Sequence, residues 1–111
     1  MASQKQSKFG TASQRFGEWL RALREAKHLP LRVVAAAAEM DQAHLSKVEL
    51  GQRLLTADQA SAIATFFGID AKEIEARRIV ERFRVEYTNN PAAEKAVNML
   101  HEDPGIYGAI K

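Results

Sequence analysis

The sequence predicts an all-α chain, and three observations support that fold class. Apolar side chains recur at spacings of three and four, so that Phe16, Trp19, Leu20 and Leu23 fall on one helix face. Residues that cap helices precede such runs, and glycines follow them. No segment combines a sustained two-residue alternation with β-branched residues, so no sheet is expected.

Helix boundaries are predicted in order along the chain. Pro30 stands where a second helix can begin, Asp41 is a candidate cap for a third, and Gly51 ends that third helix. A capping-box pattern at Thr56-Ala-Asp-Gln opens a fourth helix, and Asp70-Ala-Lys-Glu opens a long fifth helix in the same way. A last short helix is expected after the pair at positions 90 and 91, Asn-Pro.

Composition excludes several classes of protein. Of the 111 residues, 46% are hydrophobic, which is enough for a packed core, but the longest apolar run has only six residues, Val33–Ala38. A membrane-spanning helix needs about 20. The polar stretch at residues 1–6 does not resemble a secretory signal, and a chain without cysteine has no disulfide or thiolate zinc site. We therefore expect a protein of a reducing cytoplasm.

The charge is unevenly distributed along the chain. Residues 1–56 carry nine basic and five acidic side chains, whereas residues 57–111 carry seven basic and nine acidic ones. If the protein binds a polyanion, residues 1–56 are expected to contact it, although an excess of four basic side chains is also common on solvated surfaces.

The second and third helices have the form of a helix-turn-helix unit, over residues 31–50. Ala35 stands where two helices would cross, and its small side chain allows a close approach. The remaining apolar interior of the unit is supplied by Val34, Ala38, Met40, Leu45 and Val48. Polar residues stand at the outward positions, namely Arg32, Gln42, His44, Ser46 and Lys47.

Three stretches resemble one known family. They are Phe16-Gly-Glu-Trp-Leu-Arg-Ala-Leu-Arg, Leu45-Ser-Lys-Val-Glu-Leu-Gly-Gln-Arg and Ile63-Ala-Thr-Phe-Phe-Gly-Ile-Asp. Together they are similar to the lambda-repressor/Cro-like (XRE) DNA-binding domain. The resemblance implies a five-helix domain over residues 15–76. The polar composition of residues 1–14 predicts a flexible arm before this domain, and a helical extension is expected after it at residues 77–111.

The chain departs from the family pattern at three places. Glu39 replaces the usual turn glycine, which predicts either about 1 kcal/mol of strain or a slightly different turn. Leu31 replaces a glutamine that often begins the second helix, and Leu54-Leu55 replaces the usual proline after Gly51.

The resemblance places the third helix in the major groove, where its first residues meet base edges. Gln42 is suited to adenine, Ala43 to a thymine methyl, and Lys47 to guanine or a phosphate. His44 is expected to donate to a base or a phosphate, or else to lie solvated on the surface. The expected phosphate contacts are Arg32, Ser46, Gln52 and Arg53, with Arg15 a weaker candidate.

The resemblance also implies a structural ion pair between Arg24 of the first helix and Glu49 at the end of the third. Its role would be to hold the reading helix in place, so Arg24 is not expected to touch DNA.

An apolar stripe continues beyond the predicted domain, which should close near Ile74. On the fifth helix it comprises Ile79, Val80, Phe83 and Tyr87, and Val97 and Leu100 of the last helix are further residues expected at a dimer interface. An apolar helix stripe is normally buried against another apolar surface. We expect that surface to be a second copy of the chain in a homodimer. The alternative is an intramolecular hairpin, in which the last helix covers the stripe. The polar face, with the pairs Glu73/Arg77, Glu81/Arg84 and Arg82/Glu86, is expected to be solvated.

The predicted function is sequence-specific binding of double-stranded DNA as a transcriptional regulator, a repressor or autoregulator, on an inverted repeat in a bacterial or phage nucleoid. The alternative is an antitoxin or a restriction–modification controller whose last helices bind a protein. No enzyme activity, metal, cofactor or small-molecule effector is expected, since His28, His44 and His101 lack a metalloprotease spacing and no nucleophile or phosphate-binding motif is present.

Overall fold

A computed structural model describes residues 14–103 and residue 105. In this part of the chain every regular element is a helix, and the predicted all-α class is confirmed. The helices are α1 (Phe16–Ala26), α2 (Leu31–Ala37), α3 (Gln42–Glu49), α4 (Ala57–Phe67), α5 (Ala71–Tyr87) and α6 (Ala93–His101). The arm predicted at residues 1–14 lies almost entirely outside the described residues.

One hydrophobic core joins the first five helices. The largest fully buried side chains come from all five of these helices and from the loop before α4; they include Leu20, Val34, Leu45, Leu55, Ile63 and Ile74. Ala35 is buried as well, where α2 packs against α3 and α4. Burial of such side chains contributes about 1.5–3 kcal/mol each, so this core is the main source of stability.

The predicted helix starts differ in how they are capped. The Thr56 hydroxyl accepts the Gln59 N–H and the Gln59 side chain accepts the Thr56 N–H, so the first capping box is confirmed. At α5 the predicted box does not form. Asp70 still caps the helix, but its side chain accepts the Lys72 N–H, one residue short of the box position, and the Glu73 carboxylate accepts a charge-assisted bond from Arg77 Nε at 2.6 Å. Asp41 occupies the predicted N-cap position of α3. The prediction that it caps the helix is nevertheless wrong, because its side chain makes no capping hydrogen bond within the described chain.

The turn between α2 and α3 keeps its left-handed geometry without a glycine. Glu39 has φ +54°, its N–H donates to Ala36 O, and the Met40 N–H donates to Ala35 O. These are the two bonds of a Schellman motif. The expectation of a slightly different turn is therefore wrong, and the chain adopts the strained conformation at Glu39.

The expectation of a solvated polar face on α5 is also wrong for most of that face. Glu81 is buried, and it lies seven residues after the fully buried Ile74, which places both on the same helix face. Arg77 likewise lies over the Trp19 ring, 4.7 Å from its centroid. Arg82 and Glu86 do form an exposed pair, at 3.3 Å.

The last helix adds nothing to the core. Within the described chain no residue of α6 is buried, so the alternative of a hairpin that enlarges the core is not supported. No described helix is both long and apolar enough to cross a membrane.

Candidate nucleic-acid interface

The third helix has one buried side and one exposed side. Leu45 and Val48 are buried against the core, while Gln42, Ala43 and Lys47 are exposed. Ala43 and Lys47 are four residues apart, and so are Gln42 and Ser46, which makes each pair neighbours on the helix surface. The exposed side of α3 therefore presents a short polar surface around a single methyl group.

A partly buried ion pair attaches the end of α3 to α1. Arg24 Nε donates to Glu49 Oε2 at 2.7 Å, and Nη2 donates to Glu49 Oε1 at 2.9 Å. The two side chains are only 13% and 6% exposed. Arg24 Nη1 also donates to Leu29 O at 2.8 Å, so the same guanidinium ties the link between α1 and α2 to α3. This fork has the bidentate geometry that gives arginine–carboxylate pairs their directional strength.

The start of α1 also touches α3 at very close range. A Cβ built on the buried Gly17 would lie 2.5 Å from Val48 O and closer still to Glu49 O. Only a glycine permits this approach of two backbones. Nothing in the sequence marks Gly17 as a contact, because an isolated glycine within a helical pattern carries no signal of what it faces.

The end of α3 sets the direction of the loop that follows it. Gly51 has φ +80°, its N–H donates to Val48 O, and the Gln52 N–H donates to Lys47 O at 2.8 Å. Gln52 and Arg53 are exposed immediately after this turn. A defined turn thus holds two of the expected phosphate-binding residues next to the exposed side of α3.

The other expected contact residues lie in less uniform surroundings. Arg32 is exposed on the first turn of α2, whereas Ser46 is partly buried. His44 is also partly buried, and its Nε2 atom is shielded from solvent without a hydrogen-bond partner in the described part of the chain. In this rotamer His44 Nε2 faces the protein and not the surrounding solvent.

Comparison with known families agrees with this geometry. The sequence model of one family, described as a helix-turn-helix domain, matches residues 15–76, which is more than half of the chain. The chain belongs to the helix-turn-helix domain family. The resemblance stated from the sequence is confirmed. Neither a curated protein nor a solved structure matches the chain significantly.

Membership of the helix-turn-helix family indicates DNA binding. In this motif the second helix of the unit enters the major groove and the first crosses the backbone. The second helix of the unit in this chain is α3, and the first is α2. Among the described residues no group of His, Asp and Glu side chains is placed to hold a metal ion.

A second ion pair, which sequence reasoning missed, attaches α5 to the start of the helix-turn-helix domain. Arg15 Nε donates to both carboxylate oxygens of Glu81, at 3.0 and 2.9 Å, and Nη2 also donates to Oε2. Arg84 Nη1 donates to Glu81 Oε1 at 3.2 Å. The Phe16 N–H, at the first residue of α1, donates to the same oxygen at 3.2 Å. The seven-residue spacing from Ile74 is the one sequence signal that places residue 81 on the inner face.

These donors change the acidity of Glu81. The Arg15 guanidinium, through its hydrogen bonds, holds the pKa of the Glu81 carboxyl below its ordinary value. The Phe16 N–H and Arg84 lower the pKa further, while burial acts in the opposite direction. Glu81 is therefore an ionised, hydrogen-bonded carboxylate inside the protein.

The residues expected to form a dimer are exposed in the protomer, with one exception. Ile79, Val80, Tyr87, Val97 and Leu100 are all exposed. Phe83 is partly buried, with its ring centroid 4.8 Å from that of Tyr87. Val85 and Met99 are further exposed apolar side chains on the same two helices, and sequence reasoning did not include them.

Proposed function

We propose that the protein is a sequence-specific DNA-binding transcriptional regulator that reads the major groove with α3. One observation carries the proposal. The exposed side of α3 holds Gln42, Ala43 and Lys47, while its inner side is fixed to α1 by the Arg24–Glu49 fork. Base reading requires such a helix, since side chains must keep their register against base edges to discriminate between them.

The proposed contacts divide between bases and phosphates. Gln42 pairs with adenine, Ala43 meets a thymine methyl, and Lys47 reaches guanine or a phosphate. Arg32, Ser46, Gln52 and Arg53 contact phosphates and fix the position of the helix on the duplex. His44 joins the base contacts only if its ring turns outward from the position in which Nε2 is shielded.

We propose that the regulator binds as a homodimer. A single recognition helix spans only a few base pairs, and helix-turn-helix proteins gain specificity from two half-sites about 34 Å apart. The exposed apolar side chains of α5 and α6 supply a surface that a second copy would cover. The same surface would also suit a different protein, which is what the antitoxin or controller alternative requires. A protein that is dimeric in solution supports the homodimer, and one that is monomeric supports the alternative.

We assign the regulator the role of a repressor or autoregulator, which requires only that an operator be occupied. Its place of action is then the cytoplasm of a bacterium or of a phage-infected cell, on nucleoid DNA.

Selection of bound sequences from a random duplex pool by the purified protein tests the proposal. We expect enrichment of an inverted repeat whose half-sites are one helical turn apart, about 10 base pairs from centre to centre. Enrichment of one unrepeated half-site would contradict the dimer while supporting base reading. A selected pool that stays random would contradict sequence-specific binding.

A further inference from the structure

An arginine outside the helix-turn-helix unit approaches the end of α3. Arg15 Nη2 lies 3.9 Å from the position that a Cβ would take on Gly51. Gly51 is the residue at which the chain turns from α3 into the loop of Gln52 and Arg53. The guanidinium of Arg15 therefore borders the loop to which the proposed function assigns two phosphate contacts.

The Arg15 guanidinium has one buried side and one open side. Its Nε and Nη2 donate to Glu81, whose side chain is only 4% exposed, whereas the Arg15 side chain is 48% exposed. Within the described chain no hydrogen bond uses Nη1. A buried carboxylate thus fixes one edge of a planar cation, and the rest of that cation remains open to an external ligand.

We propose that Arg15 is a DNA phosphate contact and that Glu81 is the positioning residue that holds it there. This inference rests on the proposed function, because it adds a residue to the same DNA-binding surface. A free surface arginine loses much of its rotamer entropy when it binds. An arginine already held by a bidentate fork loses less, so its contact with a phosphate is stronger.

The same pair connects the extension to DNA binding. Glu81 belongs to α5, the helix that also carries Ile79 and Val80 of the proposed dimer face. A change in the position of α5 would move Glu81, and with it the phosphate contact of Arg15. Glu81 thus lies between α5, which carries part of the proposed dimer face, and the side chain of Arg15.

A salt titration tests the phosphate contact. Arg15→Ala should bind random duplex DNA about ten-fold more weakly at about 0.1 M salt, and the slope of log K against log salt should become less steep by about one. Arg82→Ala is the matched control, since Arg82 is exposed and also paired with a glutamate. It should keep the wild-type slope, and an effect of Arg82→Ala equal to that of Arg15→Ala would overturn the proposal by assigning the loss to net charge.

Two substitutions of Glu81 separate positioning from simple neutralisation of Arg15. If Glu81 only neutralises Arg15, Glu81→Gln should strengthen DNA binding because a negative charge is lost, and Glu81→Asp should change nothing. If Glu81 positions Arg15, both variants should bind about three-fold or more weakly, since the fork is lost or displaced. Glu81→Asp keeps the charge and decides the matter if Glu81→Gln does not fold, as judged by circular dichroism.

The outcomes also distinguish this inference from the proposed function. If the wild type shows no salt-dependent binding to DNA, both are overturned. If the wild type binds and Arg53→Ala weakens it while Arg15→Ala does not, only the role of Arg15 is overturned. Tighter binding by Glu81→Gln, or unchanged binding by Glu81→Asp, would overturn the positioning role alone.

Discussion

The carboxylate of Glu81 accepts the backbone N–H of Phe16 at 3.2 Å, across 65 residues of sequence. The first N–H groups of a helix have no partner within it, and a negative charge beside them is favourable. Arg15, the residue before α1, makes no side-chain capping bond within the described chain. Glu81 therefore serves as the cap of α1 from a different helix, and it ties α5 beyond residue 76 to the helix-turn-helix domain.

Removal of this carboxylate should destabilise the whole domain. Glu81→Ala leaves the Phe16 N–H and part of Arg15 without their acceptor, and we expect a loss of about 2 kcal/mol of unfolding free energy. Urea denaturation at neutral pH measures it. Glu86→Ala, an exposed glutamate on the same helix, is the control and should change stability by less than about 0.5 kcal/mol. Equal effects of the two substitutions would contradict the capping role.

The stability contributed by Glu81 should depend on pH in one direction. Because Arg15 holds the pKa of the folded-state carboxyl below its unfolded value of about 4.3, the contribution is fully present above that value. It is lost as pH falls through the folded-state pKa. The unfolding free energy of the wild type should therefore decline below about pH 4.3 more steeply than that of Glu81→Gln. Parallel declines of the two proteins would contradict this account.

Gly17→Ala should destabilise the protein although alanine is the better helix former. An ordinary glycine-to-alanine change within a helix gains about 0.5–1 kcal/mol. Here the new methyl group would meet two backbone oxygens at the end of α3, and we expect a loss of about 2–3 kcal/mol. Thermal denaturation measures it, with a lower melting temperature as the expected sign.

Ala22→Gly provides the control for Gly17→Ala. Ala22 is exposed on the same helix, so its replacement should cost only about 1 kcal/mol, the usual helix propensity of glycine. A gain in stability from Gly17→Ala would show that α1 does not approach α3 as closely as described.

Glu39→Gly should stabilise the protein, because the left-handed conformation costs a residue with a Cβ about 1 kcal/mol or more. We expect a gain of about 0.5–1 kcal/mol in unfolding free energy after the greater flexibility of glycine in the unfolded chain is included. Glu39→Ala removes the same charge and keeps the Cβ, so it should not give this gain. If both variants were equally stabilised, the effect would lie in the side chain and not in the backbone.

The proposed dimer predicts a specific effect of charge on α6. Val97 and Leu100 are exposed in the protomer, so lysine at both positions should leave the fold and its helicity intact. Sedimentation equilibrium should then show a dimer for the wild type and a monomer for the double variant. Asn98→Lys, an exposed neighbour on α6, should remain dimeric. A wild type that is monomeric at about 10 μM, where a homodimer with a Kd near 1 μM would be mostly assembled, would contradict the proposal.

Sequence patterns predicted the helices well, because local chemistry decides where they begin and end. The apolar spacing around Leu20, the capping box at Thr56 and the glycine at position 51 each depend on residues within one or two turns. The turn at Glu39 was harder to predict because the side chain opposes the conformation. There the two Schellman hydrogen bonds and the packing of α2 on α3 outweigh the preference of the residue.

Contacts between distant helices were accessible from the sequence only through the resemblance. The Arg24–Glu49 pair was expected because the family pattern implies it, and the structure brings the two side chains together. Glu81 and Gly17 had no such pattern. A glutamate on a charged helix is usually solvated, and the burial of residue 81 follows from Arg15 and the start of α1, which lie far away in sequence.

Base reading by α3 and phosphate contact by the loop after it, as proposed, affect DNA binding in different ways. The affinities of Gln42→Ala and Arg53→Ala for the selected operator and for random duplex DNA, measured at one fixed salt concentration, separate the two roles. Gln42→Ala should lose about 1–3 kcal/mol of binding free energy on the operator and almost none on random DNA. Arg53→Ala should weaken both alike. Equal losses from Gln42→Ala on the operator and on random DNA would contradict the reading role of α3.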